Sequence, residues 1–166
     1  MGLISNGTTV FDAGSMASGF GSSMVFIKKL TASGSANLTF HNGTSNVILD
    51  STYKEYLFTF KNIHLASNTP FNFQVNAVGA SGFNETISST SFFMRHAENG
   101  DGDQLSYSAA NDQAQGTGFQ RIATDQGTGN DENMGGFLRL FNPASTTFVK
   151  HFISNCQSAQ ATDYSM

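Results

Sequence analysis

The segment FLRLFNPASTTFVKHFISN, residues 137–155, decides the predicted fold, because two aromatic-rich runs flank the polar sequence NPAS. In the first run, one face carries Phe137, Arg139 and Phe141, and the other carries Leu138 and Leu140. Alternation with a period of two residues is typical of a β-strand. Because apolar side chains occupy both faces in this run and in the run that follows, we expect the hairpin of the two runs to be central in its sheet or covered by a neighbouring subunit.

The second run alternates in the same way, with Phe148, Lys150 and Phe152 on one face and Val149, His151 and Ile153 on the other. Asn142 and Pro143 suit the first two positions of the turn between the runs. We therefore interpret Arg139, Lys150 and His151 as isolated polar positions on a packed hairpin rather than as a catalytic cluster.

Two further segments repeat the strand pattern. YKEYLFTFKNIHL, residues 53–65, places Tyr56, Phe58 and Phe60 on one face, and FNFQVNAV, residues 71–78, places Phe71, Phe73, Val75 and Ala77 on one face. The alternate positions of the second segment, Asn72, Gln74 and Asn76, predict a half-buried strand with a wet outer face.

The remaining strand patterns complete an all-β prediction. Strands are expected in residues 23–32 and 83–94, and Asn42-Gly43 predicts a hairpin within residues 36–51. The Gly-, Asp-, Asn- and Gln-rich stretch of residues 95–136 is expected to hide short strands or to carry function. About eight to ten short strands without a convincing helix favour a jelly-roll-like antiparallel β-sandwich, with another Greek-key sandwich as the alternative.

Domain organisation is predicted from the change in amino-acid composition near residue 20. Residues 1–20 are small, Gly-rich and weakly apolar, so we interpret them as an extended N-terminal arm that docks through Leu3, Ile4, Val10 and Phe11. A disordered terminus is the alternative. Residues 21–166 are expected to form a single β-sandwich domain that lacks a last strand or two if the chain is incomplete.

Composition argues against several classes of partner. Only 12% of the 166 residues are charged, the net charge is −4, and no cluster of Lys and Arg occurs, so we expect no nucleic-acid surface. One cysteine excludes an internal disulfide. Without an apolar run of about 20 residues or a signal-peptide pattern, we expect a soluble protein that is neither inserted in a membrane nor conventionally secreted.

No motif for catalysis is present. The sequence lacks a G-x-S-x-G elbow, a phosphate-binding loop and an H-E-x-x-H motif, so we predict a non-enzymatic protein without a cofactor or a metal. The acidic loops hold Glu98, Asp101, Asp103 and Asp131, which we interpret as solvated charge or a loop recognition surface, with Ca²⁺ as a weaker alternative. The absence of Trp argues against a sugar platform, whereas Phe-rich strands belong in a core or a subunit interface.

Three segments resemble a known group of proteins. MGLISNGTTVFDAG, TYKEYLFTFKNIH and LFNPASTTFVKHFIS are similar to virion structural proteins of marine tailed bacteriophages of the cyanophage and pelagiphage type, described as tail-fibre-like or capsid-associated. The resemblance extends from about Met1 to Tyr164 and is weakest in residues 95–136. Members of the group continue past the DYS sequence near the end, so this chain is expected to be a short member or an incomplete one.

The resemblance implies a function but transfers no active-site residues. It implies a non-enzymatic structural protein of the virion, assembled in the bacterial host cytoplasm, that serves as a capsid decoration or as a tail or fibre appendage. Its expected partners are other virion proteins and further copies of itself, with a trimer favoured by analogy. A glycan-binding host-recognition module of a tail fibre is the alternative, and a depolymerase is a third, weaker hypothesis.

Overall fold

The computed structural model describes residues 3–6, 8–12, 15–16, 24–97, 100, 102–124, 126–159 and 164–165. The strands among these residues pair antiparallel and none of the residues is helical, which confirms the all-β prediction. Within this part of the chain, no helical segment has the length and hydropathy needed to cross a bilayer. The chain divides into two compact units, Met1–Leu49 and Asp50–Met166.

The strands of the first unit are β1 (Leu3–Ser5), β2 (Thr8–Asp12) and β3 (Ser15–Met16). The strands of the second unit are β4 (Glu55–Ile63), β5 (Phe71–Phe73), β6 (Ile87–Ser89), β7 (Phe92–Ala97), β8 (Gln104–Tyr107), β9 (Gln113–Gly116), β10 (Gln120–Ala123), β11 (Met134–Phe141), β12 (Phe152–Ser158) and β13 (Tyr164–Ser165).

The backbone of the first unit reverses direction near its start. Strands β1, β2 and β3 pair antiparallel in that order, with Leu3 opposite Phe11, and Asn6 takes a positive φ of 49° between β1 and β2. This small sheet falls in the segment predicted as an extended arm, and the boundary between the compact units follows Leu49 rather than residue 20. The docking role of residues 1–20 stays a prediction.

The predicted strands of residues 23–32 and 36–51 are wrong for the part that the structure describes, residues 24–49, where no strand is formed. The turn at Asn42-Gly43 is present. Gly43 has a φ of 76°, its N–H donates to the Val47 carbonyl at 2.9 Å, and the Asn42 side chain accepts the Leu49 N–H at 2.8 Å. The turn forms because its hydrogen bonds join residues close together in the sequence. A strand also needs a second strand to pair with its backbone groups.

Strand β11 lies at the centre of the sheet β12-β11-β4 in the second unit. Leu138 on β11 is opposite Ser154 on β12 and Phe58 on β4, so backbone pairing continues on both edges of the central strand. The hairpin was predicted to be central or covered by a neighbouring subunit. Its first strand is central, whereas its second strand, β12, lies at the edge of this sheet. The polar turn is also present, since the Ser145 N–H donates to the Asn142 carbonyl at 3.0 Å. The connection is longer than predicted, because β12 begins only at Phe152.

One face of this sheet forms the core of the unit. Tyr56, Met134, Leu138 and Leu140 are buried there, as the alternation along β4 and β11 predicts. A second sheet, β10-β5, contributes aromatic contacts to the same core: Phe71 lies 5.1 Å from Phe60, and Phe73 lies 5.6 Å from Phe152, measured between ring centroids. Two facing sheets give a sandwich-like arrangement. The connectivity that defines a jelly roll stays a prediction.

The stretch of residues 95–136 contains short strands, as predicted. Strand β8 pairs with β7, β9 with β6, and β10 with β5, all antiparallel. The strand signal of this stretch was weak because its strands are only four residues long and are separated by polar, Gly-rich loops.

Gly136 permits the close approach of β11 and β12. A methyl group at this position would lie 2.4 Å from the Asn155 carbonyl oxygen and 2.7 Å from the Cys156 Cα, both of which are backbone atoms of the paired strand. Backbone atoms in a ladder have little freedom to retreat, so the sheet geometry depends on the absence of a side chain here.

We expect Gly136→Ala to lower the free energy of unfolding by about 1–3 kcal/mol, because the added carbon overpacks a paired backbone. Urea-induced unfolding followed by circular dichroism measures the change. Gly118→Ala is the matched control, since a methyl group at Gly118 meets no heavy atom within 4 Å. Equal losses in the two variants would show that the effect is general to glycine replacement and does not arise from the contact with β12.

Candidate functional site

The ionisable side chains of the 137–155 segment, Arg139, Lys150 and His151, are all exposed. Arg139 Nη1 donates to Glu55 Oε1 at 3.0 Å, and the guanidinium carbon lies 5.8 Å from the centroid of the Phe137 ring. His151 is exposed, and its backbone carbonyl accepts the Phe141 N–H. Lys150 is also exposed. Arg139 is thus engaged in an exposed ion pair on the outer face of the sheet, which contributes little to stability.

The predicted acidic recognition surface is only partly visible. Glu98 and Asp101 lie outside the described residues. Asp103 pairs with His96 at 3.4 Å across the end of β7 and β8, and both side chains are 65% exposed. Asp131 is exposed in the turn that precedes β11. In the described part of the chain, no group of three or more His, Cys, Asp or Glu side chains is arranged to hold a metal ion.

The residues predicted to dock the arm lie on neighbouring strands. Leu3 and Ile4 are in β1, Val10 and Phe11 are in β2, and the pairing of Leu3 with Phe11 brings the two strand backbones together. Their role in docking stays a prediction.

In the loop before β11, the backbone folds around the carboxylate of Glu132. Glu132 accepts a hydrogen bond from the Gly129 N–H, and the Gly129 carbonyl lies 3.0 Å from His64 Nε2. A methyl group at Gly127 would overlap this carboxylate, so Gly127 leaves the space that Glu132 occupies. The carboxylate is therefore used to shape the loop.

Buried glutamines, which the sequence did not predict, fix the loops around the core. Gln74 was predicted on the wet face, but β5 ends at Phe73, and Gln74 turns inward to donate to the Glu85, Thr117 and Gly118 carbonyls. The side-chain oxygen of Gln74, Oε1, accepts the Val75 N–H at 2.8 Å. Buried loop carbonyls have no neighbouring strand to supply an N–H donor. The Gln74 side chain supplies that donor instead.

Gln120 plays the same role beside β6. Its amide nitrogen donates to the Asn111 and Arg121 carbonyls at 2.7 and 2.8 Å, and its oxygen accepts the Ser89 hydroxyl at 2.6 Å. The Ser89 oxygen in turn accepts the Gln113 N–H at 3.0 Å. These bonds join β10, β6 and β9 through side chains that are shielded from water.

A stripe of apolar side chains covers the outer face of the β7–β8 ribbon. Phe92 pairs with Tyr107 and Met94 pairs with Leu105 in the antiparallel register, and these four residues are called the ribbon stripe below. Their exposed fractions are 68%, 45%, 69% and 74%, respectively. The Phe92 and Tyr107 rings meet edge to face at 5.3 Å. Large apolar side chains that adjoin one another in water mark an interaction surface more often than a stable free surface.

The sequence held a signal for the ribbon stripe. Phe92 and Met94 are two residues apart in FFM, and Leu105 and Tyr107 are two residues apart in LSY, so each pair lies on one face of a strand. What the sequence did not show is the pairing of these two strands, nor that their apolar faces point outward.

Comparison with known proteins gives no assignment: models of protein families, curated proteins and solved structures were searched, and none matches this chain.

Replacing Gln120 with Leu should lower the free energy of unfolding by about 1–3 kcal/mol, because the partly buried Ser89 hydroxyl and two backbone carbonyls lose their partner. Thermal and urea unfolding provide the measurement. Gln157→Leu is the control, because Gln157 is exposed on β12; its effect is expected to stay within about 0.5 kcal/mol. A neutral Gln120→Leu would contradict the proposed anchoring.

Cys156 on β12 gives a second prediction. Burial raises the pKa of the Cys156 thiol from 9.0 to about 11, and the Phe137 backbone opposes this only in part. The folded state therefore retains the thiol proton after the unfolded chain has lost it, and stability falls as the pH rises from about 9 to 11. We expect the free energy of unfolding of the wild type to fall more steeply over this interval than that of Cys156→Ala. Parallel curves in urea titrations at several pH values would contradict this.

Proposed function

We propose that this chain is a non-enzymatic structural protein of a tailed-phage virion, acting as a capsid decoration or as a tail or fibre appendage. Residues 1–14, 52–64 and 140–154 resemble virion structural proteins. This resemblance supports the proposal that the chain is part of a phage particle. The observation that carries an assembly role is the ribbon stripe, an apolar surface of neighbouring side chains that suits contact with protein.

The polar surface of the chain is compatible with dense packing in a particle. Charged residues make up 12% of the sequence, and Ser, Thr, Asn and Gln supply much of the remaining polarity. Neutral polar groups keep a surface hydrated without strong repulsion between neighbouring copies, whereas a highly charged surface would repel them. In this proposal the N-terminal segment attaches the protein to other virion proteins, and copies of the chain associate with one another, with a trimer favoured.

A glycan-binding host-recognition module is the second candidate function. It is favoured by the exposed rings of Phe92 and Tyr107, which can stack on sugar rings, and by the nearby polar pair of His96 and Asp103. Binding on a glycan array that is lost when Phe92 is replaced by Ser would support this function. A wild-type protein that binds none of the glycans would argue against it.

Quantitative mass spectrometry of purified particles tests the principal proposal. We expect the protein in the particle fraction, with hundreds of copies for a decoration protein or a few to a few dozen for a tail or fibre protein. Its presence only in the soluble fraction of infected cells would contradict a virion role.

Deleting residues 1–16 should leave the second unit folded, because β4–β13 pair within that unit, but should abolish attachment to particles. Circular dichroism reports folding, and co-sedimentation with particles that lack the protein reports attachment. A variant carrying the same sixteen residues in scrambled order controls for length and composition. Attachment by the deleted protein would contradict the docking role of this segment.

A further inference from the structure

We propose that the ribbon stripe is a contact surface between copies of this chain, in which the Phe92, Met94, Leu105 and Tyr107 side chains of one copy pack on the same side chains of another. This inference names one surface for the self-association included in the proposed function. A stripe that packs on the same stripe of a second copy forms a two-fold contact, which is distinct from the contacts of a trimer. The inference rests on the proposed function only for where the assembly resides.

The ribbon itself shows which of its faces is free. The stripe residues alternate along β7 with Phe93 and Arg95, which are partly covered, and along β8 with Ser106, which is also partly covered. The partly covered Phe93, Arg95 and Ser106 thus share one face of the ribbon with the exposed Gln104, and the stripe lies on the opposite face. A strand pair with apolar residues on its outer face needs a second surface to remove them from water.

The area of the stripe is matched to an interface between like copies. With roughly 200 Å² for each large apolar side chain, the exposed fractions leave on the order of 500 Å² of apolar surface on one copy. This is near the upper end of the apolar patches found on monomers. Two stripes in complete contact would bury on the order of 1,000 Å² in total, which is the lower bound for a biological interface.

The chemistry of the stripe also fits a copy of itself. None of its four side chains is charged at neutral pH, so a contact related by symmetry brings no like charges together. At one end the stripe is bounded by the polar contact between His96 and Asp103, which is exposed and suits a polar rim. A basic or acidic partner would find no complementary charge among the four side chains.

The stripe is held in place before any partner arrives. The Tyr107 hydroxyl donates to the Asp112 carboxylate, which raises the pKa of Tyr107, and the Tyr107 ring rests against Phe92 at 5.3 Å. A side chain that is fixed at both ends loses little further freedom on association, so more of the burial is available for binding.

Sedimentation velocity of the full chain across about 1 to 100 µM tests the inference. We expect the wild type to self-associate and Leu105→Thr to weaken self-association by at least about tenfold. Threonine suits an exposed strand position, and circular dichroism checks that the variant is folded. Val78→Thr is the matched control, because Val78 is 97% exposed and lies in a turn outside the ribbon; we expect it to associate like the wild type.

Met94→Lys is a second variant of the ribbon stripe, and we expect it also to weaken self-association. It decides the test if Leu105→Thr does not fold. A monomeric wild type at about 100 µM, or unchanged association in both folded stripe variants, would overturn the inference. Loss of glycan binding by Leu105→Thr from a wild type that is monomeric would also overturn it and would favour the recognition function. These experiments measure self-association only. The proposed virion role is tested separately, by mass spectrometry of purified particles.

Discussion

The fold of the second unit depends on the pairing of β11 with a strand on each of its edges. A central strand has no free backbone groups to offer water, and its inner side chains, Met134 and Leu138, are fully buried. The close approach at Gly136 sets the position of β12, and through β12 the place of Phe152 against Phe73. The second sheet is thus positioned by contacts that begin at the central strand.

Where hydrophobic alternation is long and regular, the sequence was sufficient to predict the structure. Strand β4 buries Tyr56 and turns Leu57 outward as its pattern indicates, and the apolar residues on both faces of residues 137–141 indicated a central strand. The same reasoning failed in residues 24–32, where MVFIKKL has strand-like composition but the described backbone pairs with no strand. Composition reports what a segment favours, whereas pairing depends on a partner distant in the sequence.

The candidate surface was predicted less well than the fold. Nothing in the sequence indicated that the loops are anchored by Gln74 and Gln120, because an amide at an alternating position is normally assigned to the wet face. The ribbon stripe was missed for the opposite reason, since apolar residues that alternate along a strand, such as Phe92 and Met94 on β7, are normally assigned to a core. In both cases the side that a residue faces was decided by distant strands.

The buried glutamines also determine how the molecule responds to its solvent. Ion pairs at the surface weaken as salt screens them, and pairs that involve His or a carboxylate change with pH. An amide carries no charge at any of these conditions, and its bonds to loop carbonyls lie away from mobile ions. We therefore expect the bonds by which Gln74 and Gln120 tie the loops to weaken less with salt than the surface ion pair of Arg139 and Glu55.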